Sequence, residues 1–287
     1  MRPNLINLSI AAVLLFLVAG CFCRSDREVS ENGPPAANRS STKNQPPPAP
    51  GKKADDGDFL VEHIEVSNPK YVEIANQVQQ KRLLEGAANK LNRALSLPGD
   101  ITLRTKDCEQ VNAFYDPSDS SVTMCYELME HFYRAFKSVG ASDEAAYNKM
   151  FEAVQFVFLH EIGHALIDKL NLPVAGNEED AADRCSAYIN IKELGDDGLR
   201  AVYAAADAFA IESKNSAGQQ KNMADEHLLQ EQRFYNSLCM IYGSDPEKHN
   251  GIVTKGYLPK ERAVRCQMEY QRSVDSWINL LEPWRKN

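Results

Sequence analysis

The sequence has no excess of positive charge. It contains 32 Lys and Arg residues against 40 Asp and Glu residues, a formal net charge of −8, and its basic residues form no stripe along the chain. Proteins that bind nucleic acids carry clustered Lys and Arg, because they must neutralise phosphate groups. The composition therefore argues against a nucleic-acid partner.

The N-terminal apolar run is short. It extends from Ile10 to Val18, too short to cross a bilayer as a mature helix, and Arg2 is the only charged side chain before it. The run ends in Val18-Ala19-Gly20-Cys21, and small residues directly before a cysteine resemble a bacterial lipoprotein signal. We expect residues 1–20 to be the signal and Cys21 to be lipidated, which would anchor the protein in the bacterial cell envelope. An ordinary signal peptide cut nearby and an uncleaved anchor are the alternatives.

Apolar residues are almost absent from residues 21–58. Pro, Ser, Asn, Lys and Asp dominate this segment, which cannot bury enough apolar surface to fold. We expect a disordered tether, and some 35 flexible residues reach about 30–35 Å on average. Internal repeats and a second linker are also absent, so residues 59–287 should form one domain with a sizeable core.

The pattern after the tether predicts an α+β domain. It indicates a small, mainly antiparallel sheet with strands at 61–66, 101–105, 111–115 and 122–126. It also indicates helices at 71–95, 127–139, 144–170, 178–194, within 198–212, 225–242 and 261–281. The expected architecture is therefore a small sheet followed by a helical body.

Cysteine usage is typical of an exported domain, which can keep disulfides. Cys108 and Cys125 flank the predicted strand pair and could bridge it. Cys239 and Cys266 lie in consecutive helical segments and form a second candidate pair, which leaves Cys185 unpaired. Connectivity is not readable from a sequence, and five buried free thiols are the alternative.

Histidine is scarce, but two of the six histidines stand four residues apart in an apolar stretch. Residues 151–170 read FEAVQFVFLHEIGHALIDKL, which predicts a helix that is apolar nearly all round and lies in the interior. It contains His160-Glu161-Ile162-Gly163-His164, an H-E-x-x-H pattern whose two imidazoles share one face and can bind one metal ion. A chance match is the alternative. The histidines at 63, 131 and 249 have no partner at ligand spacing.

A catalytic zinc ion needs a third protein ligand and an open position for water. The metzincin pattern requires Gly at 167 and His at 170, where this chain has Ile167 and Leu170, so that class is excluded. Glu179 and Asp183 stand four residues apart on the next predicted helix. One can bind the metal while the other accepts a hydrogen bond from a ligand imidazole. Glu178 is the alternative ligand, and plain helix capping with an acidic first turn is the alternative explanation.

These motifs resemble those of gluzincin metallopeptidases. The domain as a whole is similar to a family of bacterial exported proteins described only as putative metallopeptidases. Scattered stretches from about 110 to 235 are also similar to the neprilysin family, whose zinc helix matches HEIGH and whose E-x-x-A-D matches residues 179–183. The resemblance implies that His160, His164 and Glu179 bind one Zn²⁺ per chain and that Asp183 supports a ligand.

Two further segments extend the resemblance to neprilysin. Asn112-Ala113-Phe114-Tyr115 is similar to a strand whose Asn and Ala hold the substrate backbone. His227 and Arg233 are similar to a pair that stabilises the transition state and grips the substrate. The alternatives are a surface or capping histidine at 227 and an ion pair of Arg233 with a neighbouring acid. The chain departs from the family in having Ile167 where the family has Asp, and in a much shorter loop to the third ligand. The first departure puts one contact to a metal ligand in doubt, and the second implies a smaller and plainer site.

The expected activity is zinc-dependent hydrolysis of peptide bonds, of endopeptidase type. Zinc lowers the pKa of a bound water toward about 7, and Glu161 can accept its proton as general base. His227 would stabilise the oxyanion, and Asn112 beside a free sheet edge would bind the substrate backbone. The alternatives are a lipid-anchored binding or scaffold protein with a structural or degenerate zinc site, and a zinc hydrolase of a non-peptide amide. Glu161 favours an enzyme, because a structural site does not need a base.

Overall fold

A computed structural model of the protein describes residues 51–216 and 226–286. The predicted signal, the lipidation site Cys21 and most of the tether lie outside these residues, so they stay predictions. The last residues of the expected tether pack against the domain. Lys53 N donates to Pro283 O at 2.9 Å, and Asp56 N donates to Leu97 O at 2.8 Å.

The sheet is mixed. It has four strands, which are β1 Phe59–His63, β2 Ile101–Lys106, β3 Ala113–Asp116 and β4 Ser121–Cys125. Their order is β1-β2-β4-β3; β1 with β2 and β2 with β4 are parallel, and only β3 with β4 is antiparallel. The prediction of a mainly antiparallel sheet is therefore wrong. The helical connection between β1 and β2 is long enough for a parallel crossover, which a period-two pattern does not reveal.

Strand β3 forms the edge of the sheet that faces the helical body. β4 is buried along its whole length in the centre of the sheet, whereas β3 is half-buried and forms one edge. The chain reverses between them at Asp116, whose Oδ1 accepts from Ser118 N at 2.9 Å. The free edge of β3 therefore faces away from the sheet, toward the helical body.

Ten α-helices form the body in the described residues. They are α1 Val72–Gln80, α2 Leu83–Ala94, α3 Tyr126–Ser138, α4 Asp143–Lys169, α5 Glu178–Tyr188, α6 Asp196–Asn215, α7 Gln230–Ser244, α8 Gly251–Thr254, α9 Lys260–Ala263 and α10 Cys266–Leu281. Short 3₁₀ turns at Pro69–Tyr71 and Glu282–Trp284 and a π-helical turn at Ile189–Glu193 complete the set. The class is α+β, as predicted.

Three helix predictions need correction. The helix predicted at 71–95 is two helices, because Arg82 has a left-handed backbone with φ of 49° and interrupts it. The helix predicted at 178–194 changes from α-helical to π-helical geometry after Tyr188. The last helix begins at Cys266 rather than at 261.

The 27-residue helix α4 is the centre of the domain, as its apolar sequence predicts. Ser142 caps its start by accepting from Ala145 N at 3.2 Å, and residues such as Phe156, Ile162 and Leu166 are buried. By length and composition this helix could cross a membrane, but 72% of its most apolar window is buried inside the protein. Its apolar character is that of a core helix.

Both predicted disulfides are present. Cys108 bonds to Cys125, which ties the segment before β3 to the end of β4, and Cys239 bonds to Cys266, which ties α7 to α10. Cys185 is a buried free thiol.

Candidate metal site

A glycine brings the two site helices together. A Cβ atom at Gly163 of α4 would lie 3.1 Å from Ala182 Cα and 3.1 Å from Cys185 Cβ, both in α5. A side chain at this position would make an unusually tight contact, to which α5 would have to yield. At the start of α5, Asn177 Oδ1 accepts from Glu179 N at 2.7 Å and fixes the first turn. Close packing and the cap together place the acids of α5 beside the histidines of α4.

Three donor atoms converge where the helices meet. His160 Nε2 and His164 Nε2 are 3.1 Å apart, and Glu179 Oε2 lies 3.1 Å from the first and 3.5 Å from the second. Donors bound to one tetrahedral zinc ion at about 2.0–2.2 Å are roughly 3.3–3.5 Å from each other. The three atoms therefore already have the spacing of a ligand set.

Glu179 Oε2 provides an independent test of whether these residues fit a metal ion. This buried oxygen makes no hydrogen bond in the part of the chain that the structure describes, although three imidazole nitrogens lie within 3.5 Å of it. A carboxylate and imidazoles that point to one place are the donors that a divalent ion such as zinc takes, so the residues fit.

Two further carboxylates orient the histidines. Asp183 Oδ1 lies 2.9 Å from His160 Nδ1, and Glu178 Oε1 lies 2.8 Å from His164 Nδ1. Each acid favours the tautomer that carries its proton on Nδ1 and leaves Nε2 free to bind a metal. The structure thus places Asp183 behind His160, a predicted ligand, and places Glu178 in a similar position behind His164 rather than among the three converging donors.

Arg233 does not lie where its predicted role requires. Its side chain is buried, and its Nη2 and Nε donate to the two oxygens of Asp183 at 2.7 and 2.9 Å. The guanidinium also stacks on Phe209, 4.3 Å from the ring centroid. Because its charge is used inside the protein, Arg233 cannot grip substrate. It holds the acid that orients His160.

The electrostatics keep both key carboxylates ionised. Burial alone would raise the pKa of Asp183, but the charge of Arg233 and the contact with His160 lower it well below its ordinary value. Burial would also raise the pKa of Glu179, and the three surrounding imidazoles lower it strongly. Burial would lower the pKa of His160, yet Asp183 and Glu179 raise it to about 9. A metal ion bound by His160 would therefore have to displace a proton from it.

Glu161 lies beside the three converging donor atoms, but it is not one of them and it is not one of the two orienting carboxylates. It is 6% exposed, and its Oε2 accepts from Tyr115 N, in the edge strand β3, at 3.0 Å. Burial raises the pKa of its carboxyl group, and the nearby imidazoles only partly oppose this. A raised pKa brings a carboxylate closer to the range in which it works as a base at neutral pH.

A cleft of about 910 Å³ opens over these groups. From the predicted site it includes Asn112, Ala113, His160, Glu161, His164, Glu179 and His227, but not Asp183 or Arg233. It also includes residues to which the sequence motifs gave no role, among them Tyr115, Asp168, Asn171 and Glu226. Tyr115 donates its hydroxyl to Asp168 Oδ2 at 2.7 Å, which braces the edge strand against the end of α4.

His227 reaches the site from the segment before α7. Its Nε2 lies 2.9 Å from Glu179 Oε2, and its ring stacks on that of His160 with a centroid distance of 6.0 Å. The side chain is about half exposed, at 49%. His160, Glu179 and His227 also form a group whose ligand atoms all lie within 4.8 Å of one another. His227 is thus placed either to donate to a substrate oxygen or to bind a metal.

Comparison with known protein families matches residues 63–281 to a family described as "Putative metallopeptidase". The chain belongs to this family. The match covers most of the sheet and every helix that supplies the site. No curated protein and no solved structure matches the chain. Membership of this metallopeptidase family agrees with the donor set and indicates a peptidase.

Proposed function

We propose that this chain is a zinc-dependent endopeptidase. The observation that carries the proposal is the convergence of His160, His164 and Glu179 beside a buried carboxylate, Glu161, at the floor of a large cleft. Two imidazoles and one carboxylate are a typical ligand set of catalytic zinc in peptidases. Family membership supports the peptidase class.

The residues divide the chemistry among them. His160, His164 and Glu179 would hold the ion, which when bound supplies Lewis acidity and makes water acidic near neutral pH. Glu161 Oε2 is held by Tyr115 N–H, so its other oxygen is left to accept a proton and to deliver it to the leaving amine. The raised pKa of Glu161 suits both steps, because the group must take and return the proton within one cycle.

The edge strand supports recognition of a peptide backbone. Asn112 O accepts from Cys125 N in β4, and Tyr115 N points the other way, to Glu161. Because alternate residues of a strand face opposite sides, Ala113 N–H and C=O also point away from β4, into the cleft. A substrate strand can pair with these groups by adding to the sheet edge. Such pairing reads the backbone and gives little side-chain selectivity.

The charges of the cleft favour cleavage within a chain. Its described lining contains five acids and no Lys or Arg, and Arg233 is held by Asp183. A terminal carboxylate of a substrate would therefore meet no cation from these residues. This supports an endopeptidase rather than a carboxypeptidase.

Metal content and proteolysis of the purified protein test the proposal. We expect about one zinc ion per chain and cleavage of an unfolded protein substrate that stops on chelation and returns with zinc. Tight zinc binding with no cleavage of any peptide or protein would instead favour a binding or scaffold protein. Cleavage of small amides but not of peptides would favour the non-peptide hydrolase.

One observation favours a closed metal site as a second candidate. His227 Nε2 lies as near to Glu179 as the two predicted histidine ligands do. If His227 were a fourth protein ligand, the ion would keep no open position and would serve structure rather than catalysis.

Two substitutions in the cleft separate these candidates. If His227 stabilises the oxyanion, His227→Ala should lower kcat by about 10²- to 10³-fold with unchanged zinc content. Asn112→Ala should mainly raise KM, because a backbone grip acts alike on substrate and transition state. Steady-state kinetics on one peptide, with His131→Ala as a control outside the cleft, measure both effects. Loss of zinc in His227→Ala would support the closed site, and wild-type kcat would remove His227 from the mechanism.

We also propose that a lipid on Cys21 holds the domain at the cell envelope. The support is the Val18-Ala19-Gly20-Cys21 sequence and the polar tether after it. Labelling with a radioactive fatty acid should mark the wild type and not Cys21→Ala. Equal labelling of both would overturn the anchor.

A further inference from the structure

A second cavity lies on the opposite side of α4 from the cleft. Its volume is about 380 Å³, and buried apolar side chains from α1, α2, β4 and α4 form much of its wall, including Val78, Leu84, Met124, Val154 and Phe158. Protein interiors are packed with few spaces larger than a water molecule. A space of this size lies in the range of about 300–1,000 Å³ that is typical of ligand pockets.

The polar groups of the inner wall do not need a hydrogen-bond partner from a ligand. Of the polar groups that line the cavity, Thr105 Oγ1 is hydrogen-bonded to Tyr126 OH at 2.8 Å, and Gln155 Nε2 donates to Asn190 Oδ1 at 2.9 Å. These groups are already paired within the protein. An occupant of the interior must therefore be apolar, because a polar group would lose its water without gaining a partner.

The lining also includes three cations, although the protein as a whole is acidic. All three side chains are exposed; Lys81 and Arg82 directly precede α2, and Lys90 lies within it. Lys81 Nζ lies 4.9 Å from the centroid of the Phe151 ring, which also lines the cavity. These exposed positions place positive charge at the mouth.

The lining contains one acid, Glu152, against these three cations, and Glu85 lies on α2 nearby. Glu85 pairs with His63 at 3.4 Å, and Glu152 pairs with Arg200 at 3.3 Å. Among the described residues, Lys81, Arg82 and Lys90 therefore lack a carboxylate within ion-pair distance. The charge at the mouth is unbalanced and complements an anion.

A glycine at the mouth is a further sign of an opening. Gly86 lies inside α2 and lines the cavity, and a Cβ at this position would meet nothing within 4 Å. Glycine is unfavourable inside a helix compared with alanine, and here no close contact requires it. A larger side chain at this position would narrow the entrance, which gives the glycine a physical reason.

We propose that this cavity binds a fatty acid, with the acyl chain in the apolar interior and the carboxylate at Lys81, Arg82 and Lys90. The apolar wall selects the chain, the unbalanced cations select an anionic head, and Gly86 leaves room for entry. This site is separate from the metal site and does not depend on peptidase activity.

Calorimetry of the full-length protein with dodecanoate and dodecanol, below their aggregation limits, tests the proposal. We expect one dodecanoate per chain and binding of dodecanol that is about tenfold weaker or worse, since the alcohol lacks the charge. Gly86→Phe should weaken dodecanoate binding by about tenfold or more by filling the entrance. Gly251→Phe is the matched control, because Gly251 is also exposed with open space around its Cβ.

Charge reversal tests the carboxylate contact separately. The double variant Arg82→Glu, Lys90→Glu should weaken dodecanoate and leave dodecanol unchanged, whereas Lys255→Glu on the exposed surface should change neither. Circular dichroism confirms that each variant is folded. Absence of dodecanoate binding to wild type, wild-type affinity in Gly86→Phe, or equal binding of acid and alcohol would each overturn the fatty-acid site.

Discussion

Glu161→Gln should keep the metal ion and lower the rate of peptide hydrolysis by about 10²- to 10⁴-fold, the usual contribution of a general base. Glutamine has the size of glutamate, and its carbonyl oxygen can still accept from Tyr115 N, so the local structure should persist. It cannot accept a proton at neutral pH. The experiment therefore removes the proposed base while the proposed ligands His160, His164 and Glu179 stay in place.

Glu144→Gln is the matched control for this experiment, because Glu144 is an exposed acid on the same helix, α4. It should have wild-type zinc content, stability and kcat/KM. Zinc content, melting temperature and single-turnover rates, measured for both variants, separate chemistry from folding. A Glu161→Gln protein with wild-type activity would remove Glu161 from the mechanism, and one that loses zinc would show that Glu161 is needed for the metal site itself.

The residues of α4 and α5 could be placed from the sequence because their geometry is local. Residues four apart on one helix share a face, so His160 and His164 had to be neighbours, and so did Glu179 and Asp183. The loop between the helices is short, which limits how far apart their facing sides can be. Helix periodicity and loop length together placed the acids of α5 near the two histidines, without any knowledge of the tertiary fold.

The sequence does not show which groups these acids contact. Glu178 and Glu179 are adjacent, and which of them reaches the metal depends on the rotation of α5 about its axis. That rotation depends on tertiary packing, in which Gly163 of α4 lies close to Ala182 of α5. The direction of Arg233 depends on how α7 packs, and the structure turns it inward to Asp183. Spacing along the chain indicates nearness to a site but not the direction of a side chain.

The directions of the strands in the sheet could not be predicted from the sequence either. Alternating burial identifies a strand but carries no information about the direction of its neighbour, so the parallel pairing of β2 with β1 and β4 was not foreseen. The break at Arg82 was also missed, since a non-glycine residue with positive φ has no sequence signal of its own. Tertiary packing decides both.

The orienting residues should have a smaller and graded effect on metal binding. Glu178→Gln should weaken zinc affinity by about 10- to 100-fold without unfolding the protein, because Glu178 is 54% exposed at its side chain.

Gly163→Val should weaken zinc affinity through displacement of α5, since the new side chain meets Ala182 and Cys185 at close range. Gly86→Val is the control helix glycine. Unchanged zinc affinity in Gly163→Val would show that helix packing does not set the donor spacing.

The double variant His160→Ala, His164→Ala should empty the metal site and reduce hydrolysis to background. It removes two of the three imidazoles that lie near Glu179 Oε2. The remaining carboxylate and His227 do not make a catalytic zinc ligand set. The control is His131→Ala, His249→Ala, which removes the same number of imidazoles outside the cleft. Asp183→Asn is a less clean test, because it leaves the buried Arg233 without its anion and should cost about 3–5 kcal/mol of stability in addition to zinc affinity. Zinc content after gel filtration decides the matter, and a folded double variant that still retains one zinc ion per chain would place the metal elsewhere.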